Sequence, residues 1–345
     1  MSIVPGGRTI GRRVLVARLD SDGDVLLAGP AVRAVAAGAD EVTLLCGPAG
    51  RQAADLLPGV DRVLEWSAPW IVADPGPVRA EDVDRLVGAV RVAGITEAVL
   101  LTSFHQSALP LALLLRLAGV DRITAVSDDY PGSLLDVRHQ VPELVPEAER
   151  ALSVAAAAGY PLPPDDDGRL RIRGPLPQYD VGAGSYVVLH PGASVPARAC
   201  PPGLCADMVR LLAGRGRRVL VTGGLAERSL TTYVAGRDGV DLGGRTSFGE
   251  LAAVLAGADA VIVGNTGPAH LAAAVGTAVV SLFAPTVPYE KWRPYGVPCV
   301  RLGDQHAACR GSRARRCPVP GHPCLASLTP TDVLEALADL EGIPA

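Results

Sequence analysis

The sequence is almost without lysine. Lys291 is the only one in 345 residues, and arginine supplies the rest of the 32 basic side chains. With 39 glycines and 30 prolines beside it, this imbalance reads as the codon bias of a GC-rich genome rather than as chemistry. Aromatic residues make up only 4%. No run of 18 or more apolar residues occurs, so no segment reads as a membrane-spanning helix. The apolar stretch Val14, Leu15, Val16 behind Arg8, Arg12 and Arg13 is too short for a signal-peptide core. The expectation is a cytoplasmic protein whose seven cysteines are reduced. An excess of positive charge is also missing. The net charge of −4 argues against a non-specific nucleic-acid binder. No G-x-G-x-x-G follows the first strand, which disfavours a dinucleotide-dependent dehydrogenase. No Asp-x-Asp pair stands in the second half to hold a metal. Asp20, Asp22 and Asp24 open like a calcium loop, yet no glutamate follows at its last ligand position.

What is present is a chain able to build a core. Hydrophobic residues are 48% and charged residues 20%, and the length allows two domains of about 150 residues each. Short apolar runs alternate with helical segments joined by brief loops, the pattern of an α/β protein with doubly wound parallel sheets. A helix is expected over 25–37 with a kink at Pro30, a polar loop over 127–143, and a helix over 146–158. Residues 159–184 then hold several Pro and Gly residues and the run Asp165, Asp166, Asp167, which is linker composition. The strand–helix alternation restarts at 186. The expected domains are 1–178 and 179–328, followed by a C-terminal helix over 329–345 that closes the structure, with a return to the first domain left open.

The segment 261–274 (VIVGNTGPAHLAAA) is the organising feature of the second half. An apolar strand enters a Gly-Asn-Thr-Gly turn, and a helix follows. A helix start presents unpaired N–H groups and the positive end of its dipole, which suits an anion. The other polar loops also follow strands: 20–24, 102–107, 190–198, 222–227 and 284–295. In open parallel sheets such loops line the ligand cleft, so two facing domains imply a functional cleft between them.

In order along the chain, R-x-D-x-x-G-D-V-L (Arg18 to Leu26), HPGAS (His190 to Ser194), Gly-Gly-x-Ala-Glu (Gly223 to Glu227), N-T-G-P-A-H (Asn265 to His270), S-L-F-A-P-T (Ser281 to Thr286) and W-x-P-Y-G (Trp292 to Gly296) resemble glycosyltransferase family 9, the heptosyltransferase-like family. The resemblance covers nearly the whole chain. It implies a GT-B fold, two Rossmann-like domains facing across a cleft. It also implies inverting transfer, a nucleotide-diphosphate sugar held mainly by the C-terminal domain, and an acceptor held by the N-terminal domain. Three positions depart from the family pattern, all in the donor half. Asn265 stands where an aspartate is common, Arg198 where many members carry lysine, and Cys200 where an aromatic is usual.

Inverting transfer needs a base for the acceptor hydroxyl and charge stabilisation for the departing diphosphate. Asp24, which matches the family's catalytic aspartate, is the candidate base; a plain helix-capping role for it, and Asp20 or Asp22 as base, are the alternatives. Arg198 is the candidate diphosphate clamp, since a guanidinium binds phosphate oxygens bidentately. Asn265, Thr266, Gly267 and Pro268 form the expected phosphate cradle, with His270 as a second donor or else a satisfied core histidine. Glu227 resembles the family's ribose-binding carboxylate or is a helix cap, and Thr222 and Ser194 are weaker nucleotide-side candidates. Asp20, Thr102, His105, Gln106 and Asp128 are acceptor-side candidates or ordinary loop residues. The segment with Cys299, Cys309, Cys317, His322 and Cys324 lacks standard zinc spacing; packed thiols are favoured over a disulfide or a metal. No cofactor or catalytic metal is expected beyond the nucleotide-sugar co-substrate. The acceptor is either a lipopolysaccharide-type glycan, with peripheral membrane association if it is a lipid, or a natural product such as an aminocyclitol. A GT-B nucleotide-sugar epimerase and a non-catalytic nucleotide-sugar-binding module are the rival readings.

Overall fold

Apolar runs too short for helices and apolar on both faces favour strands buried in parallel sheets, and the computed structural model contains two such sheets. It describes residues 11–72 and 74–342; Arg8 and the last three positions of the expected C-terminal helix lie outside the described residues. The chain forms two compact units that divide between Gly168 and Arg169, inside the Pro- and Gly-rich stretch 159–184; Leu144–Pro146 group with the second unit.

The first sheet contains β1 (Arg13–Arg18), β2 (Glu41–Cys46), β3 (Arg62–Glu65), β4 (Glu97–Leu100), β5 (Arg122–Val126) and β6 (Val137–His139). All pairings are parallel, in the order β3-β2-β1-β4-β5-β6. Its helices are α1 (Asp22–Leu27), α2 (Gly29–Ala36), α3 (Arg51–Leu56), α4 (Ala80–Ala93), α5 (Leu109–Leu117) and α6 (Glu147–Ala157). Side chains alternate across a strand. Leu15 and Ala17 of β1 therefore join one core with Leu86 and Val90 of α4 and Leu111 and Leu115 of α5. Val14 and Val16 are fully buried on the opposite face, and α2 packs against α6.

The second sheet contains β7 (Val187–His190), β8 (Val219–Val221), β9 (Val240–Asp241), β10 (Ala260–Gly264), β11 (Val279–Leu282) and β12 (Cys299–Leu302), again all parallel, in the order β12-β11-β10-β7-β8-β9. Counted from β7, this is the same order as the first sheet. Its helices are α7 (Pro202–Gly214), α8 (Arg228–Ala235), α9 (Phe248–Ala256), α10 (Gly267–Ala274), α11 (Tyr289–Trp292), α12 (Pro323–Ala326) and α13 (Pro330–Glu341). Ser247 caps α9 with Glu250 reciprocating, and Thr329 caps α13 with Asp332. The final helix, α13, packs within the second unit, on α7 and strands β10, β11 and β12.

Three local readings are corrected. The expected helix 25–37 is two helices. Pro30 has no N–H for the preceding turn and its ring crowds that turn; α1 ends at Leu27, and Pro30 starts α2 instead of kinking one helix. Helix α1 also begins at Asp22, so Asp24 stands inside its first turn and Ser21 is the cap. Two short edge strands were not expected: β6 lies in the segment 127–143 read as loop, and β12 opens the cysteine-bearing segment that starts at Cys299.

Candidate active site

In a doubly wound sheet the chain changes direction beside its first strand. The loops leaving the C-terminal ends on either side of that point diverge and leave a crevice. Here the two switch points lie between β1 and β4 and between β7 and β10. The loops bearing Asp20 to Asp24 and Thr102 to Gln106 flank the first. Those bearing His190 to Arg198 and Asn265 to Gly267 flank the second.

At the first switch point the hub is Arg18, the last residue of β1, which is 2% exposed. Its guanidinium meets three carboxylates: Nε lies 2.9 Å from Asp20 Oδ2, Nη2 2.9 Å from Asp24 Oδ1, and Nη1 3.3 Å from Glu147 Oε2. Nη2 also donates to Ser103 Oγ at 2.8 Å. Burial opposes the Arg18 charge, but the three acids outweigh it and hold the guanidinium ionised more firmly than usual. The acids respond differently. Burial pushes the Asp20 carboxyl up to about 6 against the pull of Arg18, and burial raises Glu147 as well. Burial thus works against ionisation of Asp20 and Glu147 even with Arg18 beside them and Arg150 within electrostatic reach of Glu147.

Asp24 retains access: its side chain is 19% exposed. Arg18 holds its Oδ1, and Ser21 Oγ donates to its Oδ2 at 2.8 Å. Asp22 is committed elsewhere. Its Oδ1 accepts from the Ala53 N–H at 2.9 Å in the first turn of α3, and burial pushes its carboxyl up to about 6. Asp20 receives a hydrogen bond from Gln106 Nε2, and Gln106 Oε1 accepts from the Ser103 N–H at 3.0 Å. Asp20, Asp24 and Gln106 are therefore brought together. Thr102 is half-buried, and its carbonyl accepts from Arg150 Nε. His105 is exposed, edge-on to Phe104. Asp128 is exposed in the loop after β5, its carbonyl held by Arg138. Arg18 was read only as part of a motif, and Ser103 and Glu147 were missed. A glutamate in the first turn of a helix is ordinary favourable placement against the dipole, so Glu147 gives no signal until α6 docks.

At the second switch point, His190 ends β7 and pairs through Nδ1 with Thr222 Oγ1 at 3.0 Å; Thr222 is fully buried. His190 Nε2 lies 3.9 Å from Glu227 Oε2. Burial pushes the imidazole below its ordinary value, with Glu227 opposing. Glu227 Oε2 accepts from the Gly224 N–H at 2.7 Å, so the capping role is real, and the side chain stays 30% exposed. Two glycines make room for it. A Cβ on Gly192 would overlap Glu227 Oε1, and one on Gly223 would sit 3.3 Å from Glu227 Cβ.

Arg198 ends the 3₁₀ turn Pro196–Arg198 and is half-buried; Ser194 is exposed in the same loop. A Cβ on Gly264 would come within 2.9 Å of the Arg198 carbonyl. That close approach seats the Arg198 turn against the start of α10. Thr266 caps α10 without spending its hydroxyl on the helix. Pro268 has no N–H, and the Ala269 N–H is taken by the Thr266 carbonyl at 3.0 Å. The turn therefore offers the Gly267 N–H and the Thr266 hydroxyl rather than a full ring of backbone donors. Asn265 is 5% exposed, and its Nδ2 has no hydrogen-bond partner among the described residues. His270 is 3% exposed on α10. The segment with Arg310, Arg313, Arg315 and Arg316 borders this site. Its backbone is tied to Ala197, Pro285 and Thr286.

All seven cysteines are free thiols, with Cys309 and Cys324 buried in the core of the second unit. Among the described residues no three His, Cys, Asp or Glu side chains gather in an arrangement that holds a metal, and no helix is long and apolar enough to cross a membrane.

Comparison with known proteins follows the same lines. The model of Glycosyltransferase family 9 (heptosyltransferase) matches residues 104–321. Lipopolysaccharide heptosyltransferase 1 of Pseudomonas aeruginosa is 35% identical over 136 residues, 39% of this chain and 38% of that one. The match thus spans well under half of that relative's length. Among solved structures, a family 9 glycosyltransferase of Veillonella parvula superposes with a TM-score of 0.75 at 16% identity, covering 95% of this chain and 97% of the other. An E. coli heptosyltransferase with ADP-2-deoxy-2-fluoro heptose superposes with a TM-score of 0.72 at 23% identity, covering 95% and 99%. These likenesses establish the fold as α/β of the GT-B type.

Proposed function

The chain belongs to glycosyltransferase family 9, and from that premise we propose that it transfers a sugar, with inversion, from a nucleotide-diphosphate donor to an acceptor hydroxyl. The observation that carries this reading is the contact of Gly264 with the Arg198 backbone. It seats the backbone of the Arg198 turn against the end of β10, just ahead of α10, where Thr266 and Gly267 still have donors to give, and a guanidinium carried on that turn is the cation proposed to join them. A diphosphate fits such a set: two adjacent anionic groups, a bidentate cation and a helix dipole.

In the proposed reaction the acceptor oxygen attacks the anomeric carbon while the bond to the diphosphate oxygen breaks on the opposite face. Asp24 takes the hydroxyl proton. Arg18 and Ser21 hold one carboxylate oxygen each, which limits rotation of the base. Arg198, Thr266 and Gly267 stabilise the charge that accumulates on the leaving diphosphate. Asn265 Nδ2, buried with no partner, is a donor positioned for the donor substrate. Glu227 Oε1, above Gly192, accepts from ribose hydroxyls. A guanidinium in this role makes a catalytic metal unnecessary. The donor sugar is a heptose or a hexose, and the acceptor lies on the side of the first unit.

A thermal-shift screen with ADP, GDP, UDP and dTDP tests the donor site. A ligand that binds only the folded state raises its stability by mass action, by about 2.7 kcal/mol at a hundred times Kd. One of the four raises the melting temperature in the wild type, and Arg198→Ala removes the shift. No shift with any nucleotide would overturn the proposal.

A further inference from the structure

The first unit has a second concavity on its strand ends, a groove of about 450 Å³ where β2, β3 and α4 meet. That volume lies within the roughly 300–1,000 Å³ of small-molecule pockets. Pro48 lines it from the loop after β2, Glu65 and Trp66 from the end of β3, and Asp82 and Arg85 from the first two turns of α4.

Two links join this groove to the Arg18 cluster. Gly47, beside Pro48, approaches the Leu19 carbonyl so closely that a Cβ there would stand 2.5 Å from it. The loops after β1 and β2 are therefore in contact. Trp66 packs on Trp70 with ring centroids 5.3 Å apart and planes tilted by 57°. Trp70 in turn walls a small hollow with Leu19, Thr102 and Gln106, and Gln106 donates to Asp20.

The lining has a definite chemistry. The chain has only three tryptophans, and two of them meet here. Trp66 Nε1 donates to the Asp82 carbonyl at 3.2 Å, which fixes the indole. A fixed, partly exposed indole offers a flat face to the C–H side of a saturated ring. Arg85 is paired with Asp82 and Arg51 with Asp55, which leaves the exposed Glu65 carboxylate, within electrostatic reach of Arg51, as the acid in excess at the groove. The adjoining cluster holds Asp20, Asp24 and Glu147 on Arg18, with Arg150 within electrostatic reach of Glu147, so acids outnumber guanidinia there too. A phosphorylated or carboxylated acceptor would meet repulsion from Glu65, and an ammonium group would meet attraction there.

We propose that the β3–α4 groove is an acceptor subsite for a polyhydroxylated ring carrying an amine, an amino sugar or aminocyclitol, with Trp66 against the ring face and Glu65 opposite the ammonium. The proposal rests on the transferase reading of Asp24 and adds the class of the acceptor.

Tryptophan fluorescence of the full chain, titrated with 2-deoxystreptamine, myo-inositol and myo-inositol 1-phosphate, tests it. The amine gives a saturable change, myo-inositol binds about tenfold more weakly, and the phosphate more weakly still. Glu65→Gln, at an exposed position, weakens the amine about tenfold and leaves myo-inositol unchanged; Trp66→Leu weakens both. Equal or tighter binding of the phosphate, no effect of Glu65→Gln on the amine, or no response to any of the three overturns the proposal. Nucleotide thermal shifts on the same samples separate the two readings. Nucleotide binding without amine binding removes the subsite alone. Amine binding without nucleotide binding removes the transferase and leaves the subsite.

Discussion

Arg18 is asked to neutralise more charge than it carries. Three carboxylates surround one guanidinium within 3.3 Å, all within the first unit. Such a cluster is poor for stability, because ions leaving water lose solvation that their mutual attraction only partly restores. It is well suited to holding Asp24 in one orientation. Asp24→Asn should leave nucleotide thermal shifts intact and lower kcat by about 10²- to 10⁴-fold, the usual range for a general base; a variant with full transfer activity would return the role to Asp20. Asp22 gives a stability test with a definite sign. Its folded carboxyl is pushed up to about 6 from 3.8 by burial. The folded state therefore favours the protonated form. Asp22 opposes folding increasingly as pH rises from about 4 through about 6, and the cost is fully present at pH 7. Asparagine keeps the acceptor for the Ala53 N–H and carries no charge. Asp22→Asn should thus raise the urea midpoint relative to wild type at pH 7 and lose that advantage at pH 4. An unchanged difference between the two pH values would contradict the burial argument.

Between elements, glycines set which loops touch. Gly192 makes room for Glu227, Gly264 admits the Arg198 turn, and Gly47 seats the loop after β2 on Leu19. Gly192→Ala forces Glu227 aside. Since that side chain is 30% exposed, it can swing into water. The expected result is a small change in melting temperature together with about a tenfold loss of nucleotide affinity, or about 1.4 kcal/mol; unchanged affinity would confine Glu227 to capping Gly224. The motif HPGAS marked Gly192 and the segment 261–274 held Gly264, but their partners lie 35 positions away for Gly192 and 66 for Gly264, as 227 − 192 and 264 − 198 show, and only folding reveals them. The interior strands were legible because burial on both faces demands continuous apolar runs. The edge strands β6 and β12 were not. Val137, Arg138 and His139 carry no such run, and their strand exists because β5 offers an unpaired ladder in register. The break between α1 and α2 was half legible, since Pro30 announces a disruption without saying whether it kinks a helix or starts another.

At the scale of the molecule, the same strand order occurs in both units, and so does the same use of it: every loop in the proposed chemistry leaves a strand beside a switch point or next to one. In the second unit the positive charge proposed for that point is the side chain of Arg198, whose backbone lies against Gly264 at the end of β10. Transfer should therefore persist in excess EDTA. Loss of turnover that added Mg²⁺ restores would show that a cation, rather than the guanidinium, carries the leaving group.

Composition, alternating apolar runs and the position of polar loops after strands were enough to establish two doubly wound α/β units, because parallel strands buried on both faces leave an unmistakable pattern in one dimension. The same order of motifs marked Asp24, Arg198 and the turn at 264–270. The tertiary structure decided which acids share Arg18, that Asp22 serves α3, that Pro268 and Ala269 leave the turn at 264–270 fewer donors than expected, and that Trp66, packed on Trp70, lines a groove beside the Asp20 loop. The physical reason is that charge balance, burial and donor availability belong to neighbours in space. Arg18 and Glu147 are 129 positions apart in the chain and meet through two hydrogen bonds in the fold.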